Sequence, residues 1–484
     1  MTALIARGDV VVDGALYASA KKIHPQSVAG AFRRLKWLLM LLCLGAFYLL
    51  PFVRWDRGPN LPHQAALVDF GRARLYFFFI ELWPQELYYL TGLMIAACLA
   101  LFLSSALIGR AWCGFVCPQT VWTDVFVWVE RRIEGDRRER IKLDAAPWTG
   151  SKIVKRAAKH AIWLAMAAST GVAFVLYFSD APTLLREIAT FRAPMPPWIW
   201  IGALTSTTYG LAGHMREQYC QYMCPWPRIQ GALTDPDSLN VAYRGDRGEP
   251  TMSLKEAAKA REAGLSAGDC IDCQACVNVC PAGVDIRLGL QAGCIQCGLC
   301  IDACDATMRK VNRPTRLIGY DTDENIRRRA KGETPVYRPV RPRTLAYAGL
   351  IAFIGALMLF ALIMRPHVTL AAMHVRVPMY TMLKEGGVRN GYALRIANKW
   401  SVARNFTLSI EGLKDATLKC EDATTTVKGL PVVSVPADSD RLVYAFVTAP
   451  PSSGANSSSL PLAFRVVEDI SGEAATVSDN FFGL

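Results

Sequence analysis

The chain has 484 residues, of which 52% are hydrophobic and 20% are charged, and its mean hydropathy is +0.20. This composition, with 10% aromatic residues, excludes a disordered protein, and the apolar excess over this length argues against a single soluble domain. The formal net charge of +13 is typical either of a nucleic-acid-binding protein or of a membrane protein with basic loops, so the positions of the charges decide between them.

Five uncharged apolar runs are each close to the roughly 20 residues that a helix needs to cross a bilayer. A soluble protein would need a very large core to bury all five, so we predict a five-span α-helical membrane bundle. The runs are Trp37–Val53, Leu87–Gly109, His160–Ser179, Ala193–Met215 and Thr344–Met364.

The basic residues alternate between the loops. Of the 54 Lys and Arg, 36 lie in residues 1–36, 110–159 and 213–343. Because Lys and Arg collect in cytoplasmic loops, these three segments are predicted to be cytoplasmic and the C-terminal part to lie outside. The charge therefore indicates topology, and no nucleic-acid partner is expected.

This topology divides the chain into five parts. We expect a cytoplasmic N-terminal segment, a four-span membrane domain, a cytoplasmic cysteine-rich domain, a fifth transmembrane helix and an outer domain. Their bounds are 1–36, 37–215, 216–343, 344–364 and 365–484.

Two shorter apolar segments are predicted to lie at the membrane surface. Leu75–Ile80 is too short to cross and is interpreted as an interfacial or re-entrant piece on the outer side. Val121, Phe126 and Val129 recur at helical spacing before a run of arginines, which predicts an amphipathic helix on the cytoplasmic surface.

Eight cysteines in the predicted cytoplasmic domain carry the strongest functional signal. The motif C-x2-C-x2-C-x3-C occurs twice, and its first copy is followed by Pro281. In two-cluster ferredoxins the fourth cysteine of each motif binds the other [4Fe-4S] cluster. The predicted ligands are therefore Cys270, Cys273, Cys276 and Cys304 for cluster one and Cys294, Cys297, Cys300 and Cys280 for cluster two.

Zinc and disulfides are the competing interpretations of this segment. Structural zinc sites pair two CxxC units across a spacer, whereas here four cysteines occupy eleven residues, twice. Disulfides are disfavoured in the reducing cytoplasm. The segment resembles a bacterial two-cluster ferredoxin of the α+β class, except that Asp305 follows Cys304 in place of Pro.

A CxxxCP motif follows each of two predicted spans on the cytoplasmic side. Cys113 and Cys117 form the first pair, and Cys220 and Cys224 form the second. Positions i and i+4 share a helix face, so each motif is expected to present two sulfurs side by side before the proline ends the turn. The thiols could bind copper, hold a third metal centre or cycle between dithiol and disulfide, and burial at helix ends is the structural alternative.

The last 120 residues change character. Short segments of alternating apolar and polar residues, separated by turn residues, predict an immunoglobulin-like β-sandwich. Its predicted strands are Tyr392–Ile396, Phe406–Ile410, Val432–Val435, Arg441–Val447 and Ala463–Val467. Met373, His374, Met379 and Met382 just outside the last span offer ligands that suit copper, although packing is the commoner role of such residues.

Together these motifs resemble the FixG/CcoG family of cytochrome c oxidase accessory proteins over nearly the whole chain. The matching stretches, besides the eight-cysteine block, are Leu16–Gln26, Trp112–Phe126, Tyr219–Gln230, Cys300–Met308 and Arg316–Thr322. Asp305 after the last cysteine is similar to the family pattern, and residues 365–484 resemble its immunoglobulin-like domain more loosely.

The resemblance implies a multi-pass protein of the bacterial inner membrane, with its outer domain in the periplasm. It implies that the protein reduces Cu(II) to Cu(I) for the assembly of a cbb-type haem–copper oxidase. The eight ferredoxin cysteines would then hold two [4Fe-4S] clusters, and Cys113, Cys117, Cys220 and Cys224 would be the redox-active or metal-binding thiols.

The partners implied are copper ions, a copper chaperone or transporter, oxidase subunits or assembly factors, membrane lipid and an electron donor that the sequence does not identify. Two other functions stay open at this point. The chain could be a quinone-linked electron-transfer subunit that feeds a partner, or a non-catalytic scaffold for oxidase assembly.

Overall fold

The computed structural model describes residues 22–58, 61–376, 378–383, 386–421, 423–425, 429–450 and 459–483. Most of the predicted N-terminal segment, residues 1–21, and with it half of the matching stretch at Leu16–Gln26, lies outside the described residues. The chain forms two compact units. One contains Ala65–Gly355 and the described residues before Arg54, and the other contains Arg54–Gln64 and Ala356–Leu484.

The helices and strands are numbered in chain order. The α-helices are α1 (Ala31–Leu49), α2 (Tyr88–Ile108), α3 (Ala111–Phe115), α4 (Pro118–Glu134), α5 (Arg137–Ala145), α6 (Gly150–Val175), α7 (Ala181–Ala189), α8 (Met195–Thr208), α9 (Arg216–Gln218), α10 (Trp226–Leu233), α11 (Gly245–Gly248), α12 (Leu254–Glu262), α13 (Ala275–Val279), α14 (Leu299–Lys310), α15 (Asp323–Ala330) and α16 (Pro342–Ile363). The strands are β1 (Ala66–Asp69), β2 (Arg74–Phe77), β3 (Ile80–Leu82), β4 (Asn240–Tyr243), β5 (Ile318–Asp321), β6 (Val368–His374), β7 (Thr381–Met382), β8 (Val388–Asn398), β9 (Arg404–Glu411), β10 (Thr417–Cys420), β11 (Thr424–Thr425), β12 (Pro431–Val435), β13 (Ser439–Ala449), β14 (Leu460–Glu468) and β15 (Ala474–Phe481).

Four helical segments of the described chain are long and apolar enough to cross a membrane. They contain α1, α2, α6 and α16 and have 22 to 26 residues each. Many of their leucine, isoleucine and phenylalanine side chains are exposed, as expected of helices that face lipid. The predicted runs Trp37–Val53, Leu87–Gly109, His160–Ser179 and Thr344–Met364 overlap these four helices.

The remaining predicted span, Ala193–Met215, is helical but not a regular α-helix. Its α-helical part, α8, has 14 residues and continues as a π-helix over Tyr209–Met215. Ser206 and Thr207 donate side-chain hydrogen bonds to the carbonyls four residues before them, which competes with the regular helix pattern. The fifth span therefore stays a prediction.

The amphipathic helix that follows the second span is α4. Its apolar face is not left for lipid, because Phe126 and Val129 are buried against Trp163 of α6 and Ala212 of the π-helix. The expectation that this helix lies on the membrane surface is wrong in this respect. The helix periodicity correctly indicates an apolar face, but that face packs within the protein.

The apolar segment Leu75–Ile80 forms part of a small sheet, and its placement at the membrane surface stays a prediction. It belongs to a three-stranded antiparallel sheet of order β1-β2-β3, with Leu75 opposite Leu82 and Tyr76 opposite Glu81. Tyr76 is buried, whereas Phe77 and Phe79 are exposed, so the apolar residues alternate between two faces as strand residues do.

The cysteine-rich segment folds around a small antiparallel pair, β4 and β5, with short helices at its sides. The core between them contains Val241, Ile301, Met308 and Ile318 together with three of the eight motif cysteines. This arrangement agrees with the predicted α+β ferredoxin-like domain.

The C-terminal unit contains two five-stranded antiparallel sheets. One has the order β10-β13-β8-β6 with β7 paired to β8, and the other has the order β11-β12-β9-β14-β15. Tyr392, Phe406 and Phe464 are fully buried in a common core between the sheets. All five predicted strands lie within observed strands, because each alternates a buried apolar face with a more exposed one.

Candidate metal centres

The first ferredoxin quartet lines a cavity between α13, α14 and β5. Its cysteines are Cys270, Cys273, Cys276 and Cys304, so the last cysteine of the second motif joins the first three cysteines of the first motif. This is the crossed arrangement predicted from the spacing. Cys270, Cys276 and Cys304 are buried, whereas Cys273 is exposed, so the cavity has one side near solvent.

The second quartet lines a neighbouring cavity, to which Cys280, Cys294, Cys297 and Cys300 contribute. Cys276 of the first quartet also lines this cavity and therefore lies in the wall between the two. Four sulfurs around each cavity suit a [4Fe-4S] cluster, whose four irons each take one thiolate. The donor set of the chain thus fits two such clusters.

Both quartets are held by loops of the same local shape. The residues on either side of the middle cysteine have left-handed backbone angles in each motif: Asp272 and Gln274 flank Cys273, and Gln296 and Gly298 flank Cys297. These angles turn successive cysteines toward one cavity. Left-handed residues cost energy outside glycine, so their repetition indicates that the loop conformation is fixed by the surrounding fold.

Burial controls the protonation of these thiols. It raises the pKa of Cys294 and Cys304 to about 12 and that of Cys280 to about 11, against 9.0 for a free thiol. Without iron these side chains are protonated at neutral pH. Binding of iron must therefore displace protons, as it does at other thiolate sites.

The two CxxxCP motifs face each other. Burial is the main cause that raises the pKa of the Cys113 thiol to about 12. Cys117, Cys220 and Cys224 are close enough that negative charge on any of them raises this pKa further. Cys220 has the same shift for the same main reason, with Cys117 and Cys224 as neighbours. The structure therefore gathers the four thiols of two distant motifs, and their role stays a prediction.

Neither motif forms the regular α-helical turn that we expected. Cys113 lies in α3, but Cys117 has extended backbone angles and begins α4, and Cys224 is extended at the end of the π-helix Tyr219–Met223. The cause is the same in both motifs. A proline follows each second cysteine, and the residue before a proline is disfavoured in the helical region.

Among the described residues, no group of three or more His, Cys, Asp or Glu side chains is arranged to hold a single metal ion. The ferredoxin cysteines surround cavities instead of converging on one point, as a four-iron cluster requires. The CxxxCP thiols are not preset as a closed mononuclear site either. Any ion that they take must draw them together.

A buried polar contact fixes the first CxxxCP cysteine. The thiol of Cys113 donates to Oε1 of Gln230 at 3.1 Å, and the Gln230 amide donates in turn to the Ser105 hydroxyl at 3.4 Å. Gln230 is fully buried and lies six residues after Cys224. The sequence contains no signal for this role, because the contact joins residues 117 positions apart.

The first CxxxCP motif also presses directly on the loop of the second quartet. A Cβ atom built on Gly114 would lie 2.7 Å from the Ile295 carbonyl oxygen and 2.9 Å from the Cα atom of Cys297. Only glycine allows this approach. The backbone between Cys113 and Cys117 is therefore in contact with the backbone between Cys294 and Cys297.

The helix that carries Cys300 and Cys304 is joined to the first membrane helix. Asp302 accepts hydrogen bonds from the backbone N–H groups of Phe32 at 3.2 Å and Arg33 at 2.8 Å, at the start of α1. A carboxylate at this place satisfies free N–H groups and favours the positive end of the helix dipole. Asp302 thus ties the ferredoxin domain to α1.

A cavity adjoins the CxxxCP thiols on the side of the second quartet. Cys220, Glu217 and Gln119 line it from the membrane domain, and Pro281 and Gly293 line it from the ferredoxin domain. Burial raises the pKa of Glu217, which forms no ion pair with the side chains of the described residues. The cavity gives a small solute a route to Cys220.

Met373 and His374, which follow the last span, do not point toward a common copper site. His374 is hydrogen-bonded to the Asn390 side chain at 2.9 Å and packs against the Tyr392 and Phe482 rings. Met373 is its neighbour on β6 and is 71% exposed, so the two side chains lie on opposite faces of the strand. The structure favours a packing role for His374.

Three segments of the chain match known protein families. Residues 215–323 match the 4Fe-4S dicluster domain, residues 90–135 match a 4Fe-4S binding domain, and residues 358–484 match the IG-like fold at the C-terminus of FixG. The chain is 45% identical over 465 residues to the nitrogen fixation protein FixG of Rhizobium meliloti (strain 1021). The aligned residues cover 91% of this chain and 88% of that protein. The chain belongs to the FixG family.

Two further relatives of this FixG-family chain come from Cereibacter sphaeroides. Protein RdxA is 47% identical over 441 residues, and the aligned residues cover 90% of this chain and 91% of RdxA. Protein RdxB is 45% identical over 437 residues, and the aligned residues cover 90% of this chain and 90% of RdxB. A FixG-related protein of known structure from Vibrio parahaemolyticus is 18% identical, with a TM-score of 0.20, and covers 24% of this chain and 96% of its own.

The family and its 4Fe-4S domains identify an iron–sulfur protein of the oxidoreductase class with several helices compatible with membrane insertion. The second 4Fe-4S match contains Cys113 and Cys117 of the first CxxxCP motif.

Proposed function

We propose that this protein is a membrane-bound cupric reductase, which reduces Cu(II) to Cu(I) for the assembly of a cbb-type haem–copper oxidase. The observation that carries the proposal is the meeting of the four CxxxCP thiols beside the loop of the second ferredoxin quartet. The proposed clusters, which store single electrons, would thereby lie beside thiols that are soft metal ligands.

The ferredoxin cysteines would hold two [4Fe-4S] clusters, which supply storage and transfer of single electrons. Cys113, Cys117, Cys220 and Cys224 have a different task, which is to take the copper ion. Cu(II) needs one electron and no proton to become Cu(I), and thiolates favour the Cu(I) product. Single-electron delivery and sulfur ligation therefore suit the same reaction.

The side chains around the thiols support this assignment. Gln230 orients the Cys113 sulfur, and the cavity lined by Glu217 gives a copper ion access to Cys220. We propose that a copper chaperone or transporter takes the Cu(I) product and that oxidase subunits or assembly factors are its destination. We place the thiols on the cytoplasmic side of a bacterial inner membrane and the sandwich in the periplasm, in accord with the charges of the loops.

The test uses full-length protein in detergent, purified anaerobically and reduced with dithionite before excess reductant is removed. Addition of Cu(II) should reoxidise the clusters and yield one Cu(I) for each electron lost. Cys113→Ser and Cys220→Ser should slow this step, whereas Cys98→Ser, an exposed cysteine on α2, should not. If all three variants are reoxidised at the same rate, the CxxxCP thiols take no part in the reaction.

A second candidate function rests on a different feature. An apolar groove lined by Leu35 and Leu39 of α1, Ile108 of α2 and Trp112 beside Cys113 could receive the tail of a membrane quinone. The chain would then move electrons between quinones and a partner. This function would be favoured if a quinol reduces the clusters and if Leu39→Trp abolishes that reduction while copper-driven reoxidation persists.

A further inference from the structure

Arg110 lies where the two halves of the proposed electron route meet. It precedes α3, and its guanidinium donates hydrogen bonds to the backbone carbonyls of Ala292 at 2.6 Å and Cys294 at 3.4 Å in the loop of the second quartet. A further hydrogen bond reaches the carbonyl of Pro227, just after the second CxxxCP motif, at 2.8 Å. One side chain thus bridges the ferredoxin loop and the second motif.

The backbone of Arg110 completes the bridge. Its N–H donates to Oε1 of Gln296 at 2.7 Å, and Gln296 lies between Cys294 and Cys297. Three residues further along the chain is Cys113 of the first motif. Arg110 therefore touches or adjoins the second quartet and both CxxxCP motifs.

The charge of Arg110 has no carboxylate partner within the described residues. Two other buried or half-buried arginines of the same unit do have one, since Arg140 pairs with Glu130 and Arg33 pairs with Asp124. The acidic groups close to Arg110 are instead the thiols of Cys113 and Cys294, which act against the burial that lowers the pKa of its guanidinium. A cation out of bulk water needs compensating negative charge, and here the thiolates of a cluster bound at the second quartet would supply it.

We propose that Arg110 is a positioning residue, whose cation stabilises the negative charge of a reduced cluster at the second ferredoxin quartet and so raises the potential at which that cluster gives up its electron. Arg110 itself gives up neither an electron nor a proton. The electron that Cu(II) gains is the one lost from the reduced ferredoxin domain, so the copper part of this inference rests on the proposed function. The effect on the second quartet does not.

The experiment compares Arg110→Gln and Arg110→Lys in the full-length protein. The glutamine removes the charge, whereas the lysine keeps it but cannot reproduce the forked hydrogen bonds to two separate segments. Arg313→Gln is the matched control, because Arg313 also donates to backbone carbonyls, those of Gly268 and Asp269, but beside the first quartet. Iron and sulfide contents verify that each variant holds its clusters.

The first readout is the midpoint potential of each cluster, from a redox titration followed by EPR without copper present. Arg110→Gln should make the potential of one cluster more negative, Arg110→Lys should leave it near that of the native protein, and Arg313→Gln should not change that cluster. The second readout is the rate of reoxidation by Cu(II), which should rise in Arg110→Gln, because a more negative potential makes the reduced cluster a stronger electron donor.

A structural role gives a different pattern. If Arg110 only packs the two segments together, the lysine should impair the protein as much as the glutamine, and the potentials of both clusters should not move. Unchanged potentials in Arg110→Gln with full iron content would overturn the inference. If copper causes no reoxidation even in the native protein, the proposed function fails, while the shift in potential still tests Arg110.

Discussion

The contact at Gly114 makes a sharp prediction, because a single methyl group would disturb the junction between the first CxxxCP motif and the second quartet. In Gly114→Ala the new Cβ would lie 2.7 Å from the Ile295 carbonyl oxygen and 2.9 Å from the Cα atom of Cys297. Both are backbone atoms, so neither can rotate away. Relief requires the two loops to separate by roughly 0.7 Å, since ordinary contacts begin near 3.4 Å.

The expected cost follows from two opposing effects. Overpacking of a tight contact costs about 1–3 kcal/mol, whereas replacing glycine by alanine in a helix gains up to about 1 kcal/mol. We therefore expect Gly114→Ala to lower the free energy of unfolding by about 1–2 kcal/mol and to reduce iron retention at the second quartet. Gly45→Ala in α1 isolates the helix effect, because no atom lies within 4 Å of its added methyl group.

The assay is thermal unfolding in detergent, together with iron content and the EPR signals of the reduced clusters. Gly114→Ala should unfold at a lower temperature than the native protein and should lose or alter one cluster signal. Gly45→Ala should match the native protein or exceed it slightly. Equal midpoints and equal spectra for the two variants would refute the close approach described for Gly114.

Three further predictions concern the ligands and the buried charges. Cys304→Ser and Cys280→Ser should each remove a different cluster signal, with Cys304→Ser affecting the first quartet; loss of the same signal from both would contradict the crossed pairing. Glu130→Ala should destabilise the protein by about 3–5 kcal/mol in thermal unfolding, because it leaves the fully buried Arg140 without its carboxylate; Glu130→Gln should cost less. The iron-free protein should lose stability from pH 9 towards 12, since the unfolded thiol of Cys294 ionises near 9.0 while the folded one keeps its proton to about 12. The cluster-loaded protein, whose thiolates bind no protons, should not show this decline in chemical unfolding at pH 8 and 10.

Local spacing was sufficient to predict the ferredoxin quartets and five of the ten strands β6–β15. The crossed pairing follows from the C-x2-C-x2-C-x3-C spacing, because in two-cluster ferredoxins the fourth cysteine of this motif binds the other cluster. The strands follow from alternation, which carries through Val388–Asn398 and its neighbours without interruption. Both signals lie within a few consecutive residues.

The errors have equally local causes. A six-residue apolar run such as Leu75–Ile80 does not distinguish a strand from a membrane-surface segment, because periodicity needs a longer window. The amphipathic pattern around Phe126 indicates an apolar face but not whether lipid or Trp163 covers it. At Cys117 and Cys224 the helix spacing predicts a regular turn, but the proline after each cysteine disfavours helical backbone angles at that cysteine.

The contacts that assemble the candidate site were beyond the reach of the sequence. Gln230, Gly114 and Arg110 act through partners more than 100 positions away, and the local sequence around them does not indicate those partners. Only the fold brings them together. The sequence predicts which ligands exist, and the structure adds how they are joined.

The hydrogen bonds of Asp302 have a consequence for the order in which the protein is made. The residue that completes the start of α1 is 269 positions further along the chain than Arg33, whose N–H it accepts. A ribosome therefore delivers the first membrane helix long before its cap exists. The start of that helix is finished only when the cysteine-rich segment has been synthesised and folded back, so the first apolar helix is completed by a late folding event.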